Sequence, residues 1–526
     1  MAATAVPFDA LPSIDPATGQ IVGHVTKTSA GDLPELFSRA RAAQSFWSEW
    51  RVRDRRARLD VLRQLILDTR SAIADAIVHE SGKPRVEALF ADIFVALDTA
   101  TYFAKPAGGV LRTEPHPVPH HSTPAKAKRG ILIYQPLGVI GIISSWNYPF
   151  AIPMSQIIPA VVAGNAVVCK TSEFTPQCGA LIQQLFIDAG FPEDLVTIIQ
   201  GGGEVGQALI DAGPDKLIFT GSVATGRRVA EACARQLIPT VLELGGKDAM
   251  LVLDDADLNA ASSGAVWGSY TNCGQVCLSV ERIFVVEPVA DRFIRLCVDK
   301  TKKLCVGPGS DPNSDVGPMI RPQHVERMRE LLDDAIQRGA QIRCGGNARP
   351  DLGASFFEPT VISGVDSTMK LFQEETFGPI LAIQVVRDWK EAVARANDSP
   401  FALSASIWTR DAMYGADTAA ELKAGAVMVN DMISYFAIAE APHGGSKLSG
   451  WGRTHGEHGL LEMVQAKYID VDRLPRREKP WWYRYGADVE RAADAFLQFE
   501  FGGGIGNRIR HATGALKTMF RDHRLK

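Results

Sequence analysis

A chain of 526 residues is long enough for two or more domains, each with a sizeable core. Hydrophobic residues make up 46% and charged residues 22%, the balance of an ordinary globular protein, and a formal net charge of −4 argues against a nucleic-acid binder with its basic footprint. No apolar run approaches the roughly 18 residues that span a bilayer. The opening residues lack the basic and apolar blocks of a secretory signal, so a cytoplasmic protein is expected.

In chain order, the first hundred residues read as helical. Leu33 to Trp47 and Asp54 to Leu67 carry apolar residues at helical spacing, and Gly82-Lys83-Pro84 ends the pattern. The Pro- and His-rich run Glu114 to His121 is an extended connection, because Pro117 and Pro119 forbid a helix. Its His116, His120 and His121 read as a solvated arm rather than as metal ligands. From Gly138 the rhythm turns to strand and helix. Gly138–Ser144, Ala166–Lys170, Leu195–Gln200, Lys216–Thr220 and Thr240–Leu244 are short β-branched runs, each separated by room for a crossover helix. That alternation predicts a parallel, doubly wound sheet. A second α/β unit follows, with strands at Arg282–Glu287, Phe356–Ile362, Ile380–Val386, Ala405–Trp408 and Ala426–Asn430. Its opening residues and the end of the first unit predict an active site in the cleft between them.

Several short motifs carry chemistry. Cys277, in Asn272-Cys273-Gly274-Gln275-Val276-Cys277, is a candidate thiol nucleophile, and Glu243, closing an apolar strand in Glu243-Leu244-Gly245-Gly246-Lys247, is a candidate base. The bland alternative for Glu243 is a strand-end carboxylate paired with Lys247. No GxGxxG is present. Lys170-Thr171-Ser172-Glu173 nevertheless follows the second strand, and a carboxylate there suits an adenosine ribose while repelling a 2′-phosphate, so Glu173 favours NAD over NADP. Gly221-Ser222 opens a helix whose N–H groups suit a pyrophosphate, and the glycines from 202 to 206 admit a close adenine. The eight cysteines (169, 178, 233, 273, 277, 297, 305 and 344) include no CxxC pair and read as reduced thiols. Without a His cluster beside Cys273 and Cys277, no metal site is expected.

At these residues the chain resembles the aldehyde dehydrogenase superfamily. Glu-Leu-Gly-Gly-Lys and Gly-Gln-x-Cys are two of its signatures. Ser145-Trp146-Asn147-Tyr148-Pro149, Phe219-Thr220-Gly221-Ser222, Glu374-Glu375-Thr376-Phe377-Gly378-Pro379 and Gly444-Gly445-Ser446-Lys447-Leu448-Ser449-Gly450 match in the same order, over roughly residues 10–472. The resemblance implies a Rossmann-like NAD-binding domain from 1–113 and 136–244, and a catalytic α/β domain from 245–445. It also implies small β oligomerisation and bridging segments at 114–135 and 446–473. It implies oxidation of an aldehyde to the acid through a thiohemiacetal and a thioester on Cys277, with Asn147 as oxyanion donor and Glu243 activating water. NAD is then the hydride acceptor, with NADP as a second possibility, and a homodimer or homotetramer is expected. Trp146, Lys170, Ser172, Glu173, Gly203, Gly221, Ser222, Leu244, Glu375 and Phe377 form the implied cofactor set. Tyr148, Met154, Trp267, Tyr270, Tyr435 and Phe436 are candidate pocket walls, which points to an apolar or aromatic aldehyde. A semialdehyde held by Arg282, a CoA-acylating enzyme and a catalytically silent relative are the alternatives.

Residues 474–526 extend past the resemblance. Arg476 to Tyr485 is basic and aromatic, and Ile505, Ile509, Ala512, Leu516 and Phe520 share one face of a basic helix. Such a helix packs on the enzyme body or on a neighbouring subunit, lies peripherally on an anionic membrane, or covers the substrate tunnel.

Overall fold

The computed structural model describes residues 10–105, 111, 116–126, 128–473, 479 and 481–519. Five apolar runs become one parallel sheet: β1 (Val139–Ile143), β2 (Ala166–Lys170), β3 (Val196–Ile199), β4 (Lys216–Thr220) and β5 (Thr240–Glu243). Their near-complete burial on both faces suits the Val/Ile-rich composition, as parallel strands covered by helices require. The spatial order is β5-β4-β1-β2-β3, and Gly450–Trp451 adds antiparallel to β5. The chain runs outward from β1 to β3, then returns to lay β4 on the other side of β1. This reversal opens a crevice at the carboxyl ends of β1 and β4, where ligands bind in open α/β sheets.

Three long helices precede this sheet: α1 (Leu33–Ser48), α2 (Val52–Ser81) and α3 (Phe94–Ala104), but the chain before them is not helical as expected, since Ala10–Ile14 pairs antiparallel with Ile21–Thr26. The second outruns its expected end by more than three turns and stops at Gly82, whose φ of 74° makes a left-handed cap. A single wide turn, Ala88–Ile93, leads into α3 and leaves Phe90 and Phe94 turned outward. The crossovers are α4 (Ala151–Ala163), α5 (Pro176–Asp188), α6 (Gly203–Asp211) and α7 (Val223–Arg235).

A second sheet holds β6 (Asp248–Val252), β7 (Val280–Val286), β8 (Gln341–Cys344), β9 (Thr360–Ser363), β10 (Ile380–Val386), β11 (Ser404–Trp408) and β12 (Ala426–Val429). Its order is β8-β9-β10-β7-β6-β11-β12, with β8 antiparallel. Two of these strands, β6 and β8, were not expected. The first begins directly after Lys247, and the Gly245-Gly246 turn between the sheets belongs to the motif itself. The strand expected from Phe356 starts only at Thr360, because Pro359 has no N–H for a ladder and Phe356 and Phe357 go into the core. Helix α8 (Leu258–Tyr270) follows β6, capped by the Asp257 carboxylate, which accepts the N–H groups of Asn259 and Ala260.

Both sheets lie in one compact unit, made of the described residues within Met1–Val110 and Pro136–Val464. The other unit covers Leu111–Gln135 and Gln465–Lys526. In it, His116–Val118 and Val464–Asp472 flank Lys128–Pro136 in a three-stranded sheet, and His120 meets the Tyr468 hydroxyl at 3.2 Å. Helices α9 (Ala487–Phe501) and α10 (Ile505–Met519) pack against each other. Of the stripe expected on α10, Ile505 and Ile509 are 79% and 70% exposed, and Phe520 lies outside the described residues, as do Glu114 and the basic pair Arg476 and Arg477. Among the described residues no helix is long and apolar enough to cross a membrane.

Candidate active site

Cys277 follows α8 through a turn with unusual backbone. Asn272 and Cys273 take positive φ values of 49° and 56°, Gly274 follows at 71°, and a Cβ on Gly274 would strike the carbonyl of Gly378. Such a conformation persists only where the surroundings over-determine it, and here they do. The Glu87 carboxylate accepts the Thr271 hydroxyl and the Asn272 N–H, each at 2.9 Å. The Asn272 amide donates to the carbonyls of Asn147 and Gln275 at 3.0 and 3.2 Å. Gln275 in turn donates to the Asn272 carbonyl at 3.0 Å and accepts the Ile320 N–H at 2.9 Å. Lys83, fully buried and 2.8 Å from Asp92, donates to the Asn147 carbonyl at 2.7 Å and stands over the Tyr148 ring.

The reactive groups project from this frame. Burial pushes the Cys277 thiol well up, and the carboxylates of Glu375, Asp248 and Glu243 add to the rise, so the thiol is held protonated until a base or donor set acts on it. Asn147 is buried; its Nδ2 donates one N–H to the Gln275 carbonyl at 3.0 Å and keeps a second. Glu243 ends β5, and burial raises its carboxyl well above the usual range while the Arg453 charge opposes the rise. Neither of its oxygens makes a hydrogen bond among the described residues. Lys247 is not its partner: that ammonium pairs with Glu281 at 2.6 Å and donates to the Thr376 hydroxyl at 2.8 Å.

Two cavities meet at Cys277, Glu243, Leu244 and Thr220. One, of about 310 Å³, is lined by Trp146, Asn147, Gly221, Ser222, Glu375 and Phe377. Glu281 holds its far wall by accepting the N–H groups of Thr376 and Phe377, at the turn where Phe377 has φ of 51°. The Phe377 ring meets Trp146 edge-on at 5.6 Å. Glu375 accepts the Gly246 N–H at 3.1 Å, and burial pushes its carboxyl up to about 8. Ser222 caps α7 by accepting the Thr225 N–H at 3.3 Å. Lys170, Ser172, Glu173 and Gly203 lie off this wall, at the carboxyl ends of the neighbouring strands β2 and β3. There Lys170 Nζ stands 3.1 Å from Glu173, and Gly203 leaves open space where a Cβ would sit. These residues fit a dinucleotide: a helix start for phosphates, a carboxylate–ammonium pair for a diol, and an enclosed aromatic slot.

The other cavity, of about 250 Å³, is walled by apolar side chains including Val95, Tyr148, Ile152, Leu403, Ile433 and Phe436. Phe90, Phe94 and Trp267 line it while remaining 69%, 47% and 48% exposed. Among the described residues no lysine or arginine touches it.

The model of the Aldehyde dehydrogenase family matches residues 5–469 of this chain. The chain belongs to the aldehyde dehydrogenase family. A 4,4′-diapolycopene aldehyde oxidase of Methylomonas is 37% identical over 492 residues, covering 93% of this chain and 91% of its own. A Mycobacterium tuberculosis protein, named provisionally as a succinate-semialdehyde dehydrogenase [NADP(+)], is 37% identical over 88% of this chain and 89% of its own. Among solved structures, the betaine aldehyde dehydrogenase of Staphylococcus aureus in complex with NAD+ superposes with a TM-score of 0.84 at 31% identity, covering 90% of this chain and 94% of that one. Members of this family are NAD(P)-dependent oxidoreductases, and the α/β fold with parallel sheets matches theirs.

Within this family member the sequence motifs converge as well as match. Cys277, Glu243, Asn147, Trp146, Gly221, Ser222, Leu244, Glu375 and Phe377 surround one cavity. Of the expected pocket walls, Tyr148, Trp267 and Phe436 line the apolar cavity. Met154 is core, Tyr270 spends its hydroxyl on the Thr360 carbonyl, and Tyr435 stands behind the wall. Arg282 is structural, donating to the carbonyls of Lys247, Arg395 and Ala396. Sequence reading missed Phe90, Phe94 and His443. The only available signal was His443 itself, directly before the glycine pair of Gly444-Gly445. Among the described residues no cluster of ligating side chains suits a metal.

Proposed function

We propose that this enzyme oxidises an uncharged, apolar or aromatic aldehyde to its carboxylic acid through a covalent thioester on Cys277. The observation that carries the reading is the join of the two cavities at Cys277 and Glu243, one fitting a dinucleotide and the other apolar. Cys277 sulfur adds to the aldehyde carbonyl as its proton passes through the Glu243 carboxylate to solvent. The spare Asn147 N–H stabilises the resulting oxyanion, a donor worth on the order of 3 kcal/mol of barrier. A bound nicotinamide dinucleotide, held against Glu375 and Phe377, would supply the hydride acceptor for the passage from adduct to thioester. Glu243 then takes a proton from water as the oxygen adds to the thioester carbonyl, and the Cys277 thiolate leaves. The presence of this base favours hydrolysis over transfer to CoA.

Substrate and cofactor choice follow from charge. A semialdehyde would bring a carboxylate into a wall without a cation and beside Glu243, an arrangement that costs several kcal/mol. The Glu173 carboxylate beside Lys170 supports NAD over NADP, since a 2′-phosphate would meet a like charge. Eight free cysteines support a cytoplasmic setting. The exposed Tyr468, Ile469 and Val471 of the three-stranded sheet support a homo-oligomer. Exposed Trp481, Trp482 and Tyr483, with Ile505 and Ile509, support peripheral contact of the tail with an anionic membrane. The test is NADH formation at 340 nm over aliphatic, aromatic and semialdehyde substrates with NAD and NADP. Apolar substrates with NAD are expected to lead, and Cys277→Ala to lose more than about 10⁴-fold of that rate. Equal turnover by the variant would remove the mechanism.

A further inference from the structure

We infer that His443 is a positioning residue for Glu243: its imidazole presents an N–H to the carboxylate and keeps it ionised within a wall that otherwise gives it no donor. This rests on Glu243 as the hydrolytic base and asks how a carboxyl so buried remains one.

His443 is clamped through its backbone, since its N–H donates to the Thr454 carbonyl and its carbonyl accepts the Thr454 N–H, both at 2.8 Å. Its ring is enclosed by Phe436, edge-on at 4.9 Å, and by His455 at 5.7 Å. Nδ1 lies 2.9 Å from the Tyr435 hydroxyl, and Nε2 lies 3.5 Å from Glu243 Oε2. These two contacts decide the tautomer. Burial keeps Tyr435 a phenol and His443 neutral at physiological pH. A phenol donating to Nδ1 puts the one imidazole proton on Nε2, facing the carboxylate. A donor to the charged form of an acid favours that form. The 3.5 Å separation is about half an ångström beyond a formed hydrogen bond, and catalytic hydrogen bonds commonly tighten only in the complex.

The other charged or titratable groups around the pair are Arg453, His455, Glu462, Cys277 and Asp248. Arg453 opposes protonation of Glu243 at longer range, while its guanidinium donates to the carbonyls of Gly445 and Gly452. Glu462 acts the other way. None of these groups hydrogen-bonds to the carboxylate among the described residues, which leaves His443 as the group poised to do so.

The test compares pH profiles of kcat for the wild type, His443→Phe, His443→Gln and Tyr435→Phe, with single-turnover rates separating hydride transfer from thioester hydrolysis. Removing the donor raises the carboxyl's pKa, so the acid limb is expected to move to higher pH by about one unit in His443→Phe. The loss should fall on hydrolysis more than on hydride transfer. Tyr435→Phe should shift the limb less and in the same direction, and the amide N–H of His443→Gln should bring it back towards the wild type. A change in KM with the limb unmoved would overturn the inference and leave His443 as pocket wall. Should His443→Phe not fold, the limb in Tyr435→Phe decides alone, an unmoved limb there overturning it. Glu243→Gln is the reference: normal turnover without an acyl adduct removes the base and this inference together, whereas an adduct with an unmoved His443→Phe limb removes only the inference.

Discussion

The two cavities that share Cys277 differ in how they are built. The dinucleotide-fitting side is polar and backbone-rich, with Glu375 on the Gly246 N–H and Glu281 holding the turn before Phe377. The other side is mostly apolar, with Glu243 and a neutral His443 among the few polar side chains of its wall. A ligand with fixed phosphates and ribose rewards directed hydrogen bonds. A variable hydrocarbon rewards area removed from water, at about 25 cal/mol per Å². In the proposed reaction the chemistry occurs where the two demands meet, where burial pushes up both the Cys277 thiol and the Glu243 carboxyl and the His443 N–H is poised to offset the rise at Glu243.

Breaking the join should have the largest effect. Glu243→Gln keeps size and removes the base, so hydrolysis is expected to slow by roughly 10²–10⁴-fold. Hydride transfer should then outrun deacylation, and intact mass should show the acyl adduct on Cys277. Steady turnover without adduct would assign water activation to another group.

The substrate side gives the next effect. An apolar aldehyde should exceed succinate semialdehyde in kcat/KM by at least about 100-fold, because the semialdehyde's carboxylate finds no partner. Phe436→Ala should lower kcat/KM for the apolar substrate by roughly 10-fold and leave the semialdehyde nearly where it was. A preference for the semialdehyde would mean that a cation reaches the cavity from elsewhere.

Legibility in the sequence followed the same division. The residues proposed for the dinucleotide stood out because close backbone approach and helix starts demand particular residues at fixed offsets, as in Gly221-Ser222, which lines the polar cavity, and Lys170 to Glu173, which lies off its wall. The parallel sheet was readable because strands such as Ala166–Lys170 and Lys216–Thr220 are buried on both faces and bounded by turns. Strand Asp248–Val252 escaped because the chain enters it straight from the preceding motif. Phe90 and Phe94 escaped because only a wide turn in a helical stretch rotates them to the cavity mouth, and no local pattern encodes that rotation. His443 carried a polar group into a wall of hydrocarbon, and its partners Tyr435 and Glu243 are brought to it only by the fold.

On the dinucleotide side, Glu173→Gln sharpens the comparison with a smaller expected effect. It removes the charge opposed to a 2′-phosphate but keeps a hydrogen-bonding group and leaves Lys170 in place. The ratio of kcat/KM for NAD over NADP should fall several-fold, by about 1 kcal/mol of discrimination, since the site is partly exposed and screened. An unchanged ratio would move the contact to another residue of that strand end.

The tail offers the smallest effect on chemistry and the clearest separation from it. Its two helices satisfy one another, with Asn507 donating to the Gln498 carbonyl at 3.2 Å and Gly514 close against Ala495, yet Ile505 and Ile509 remain exposed. Burying two such side chains in a bilayer interface is worth roughly 3–6 kcal/mol at most, enough to shift vesicle binding by orders of magnitude. Ile505→Asp with Ile509→Asp should therefore abolish co-sedimentation with anionic vesicles while short aldehydes are oxidised at the wild-type rate. If co-sedimentation persists and the oligomer instead dissociates in size-exclusion chromatography, the apolar stripe faces a second copy of the chain rather than lipid.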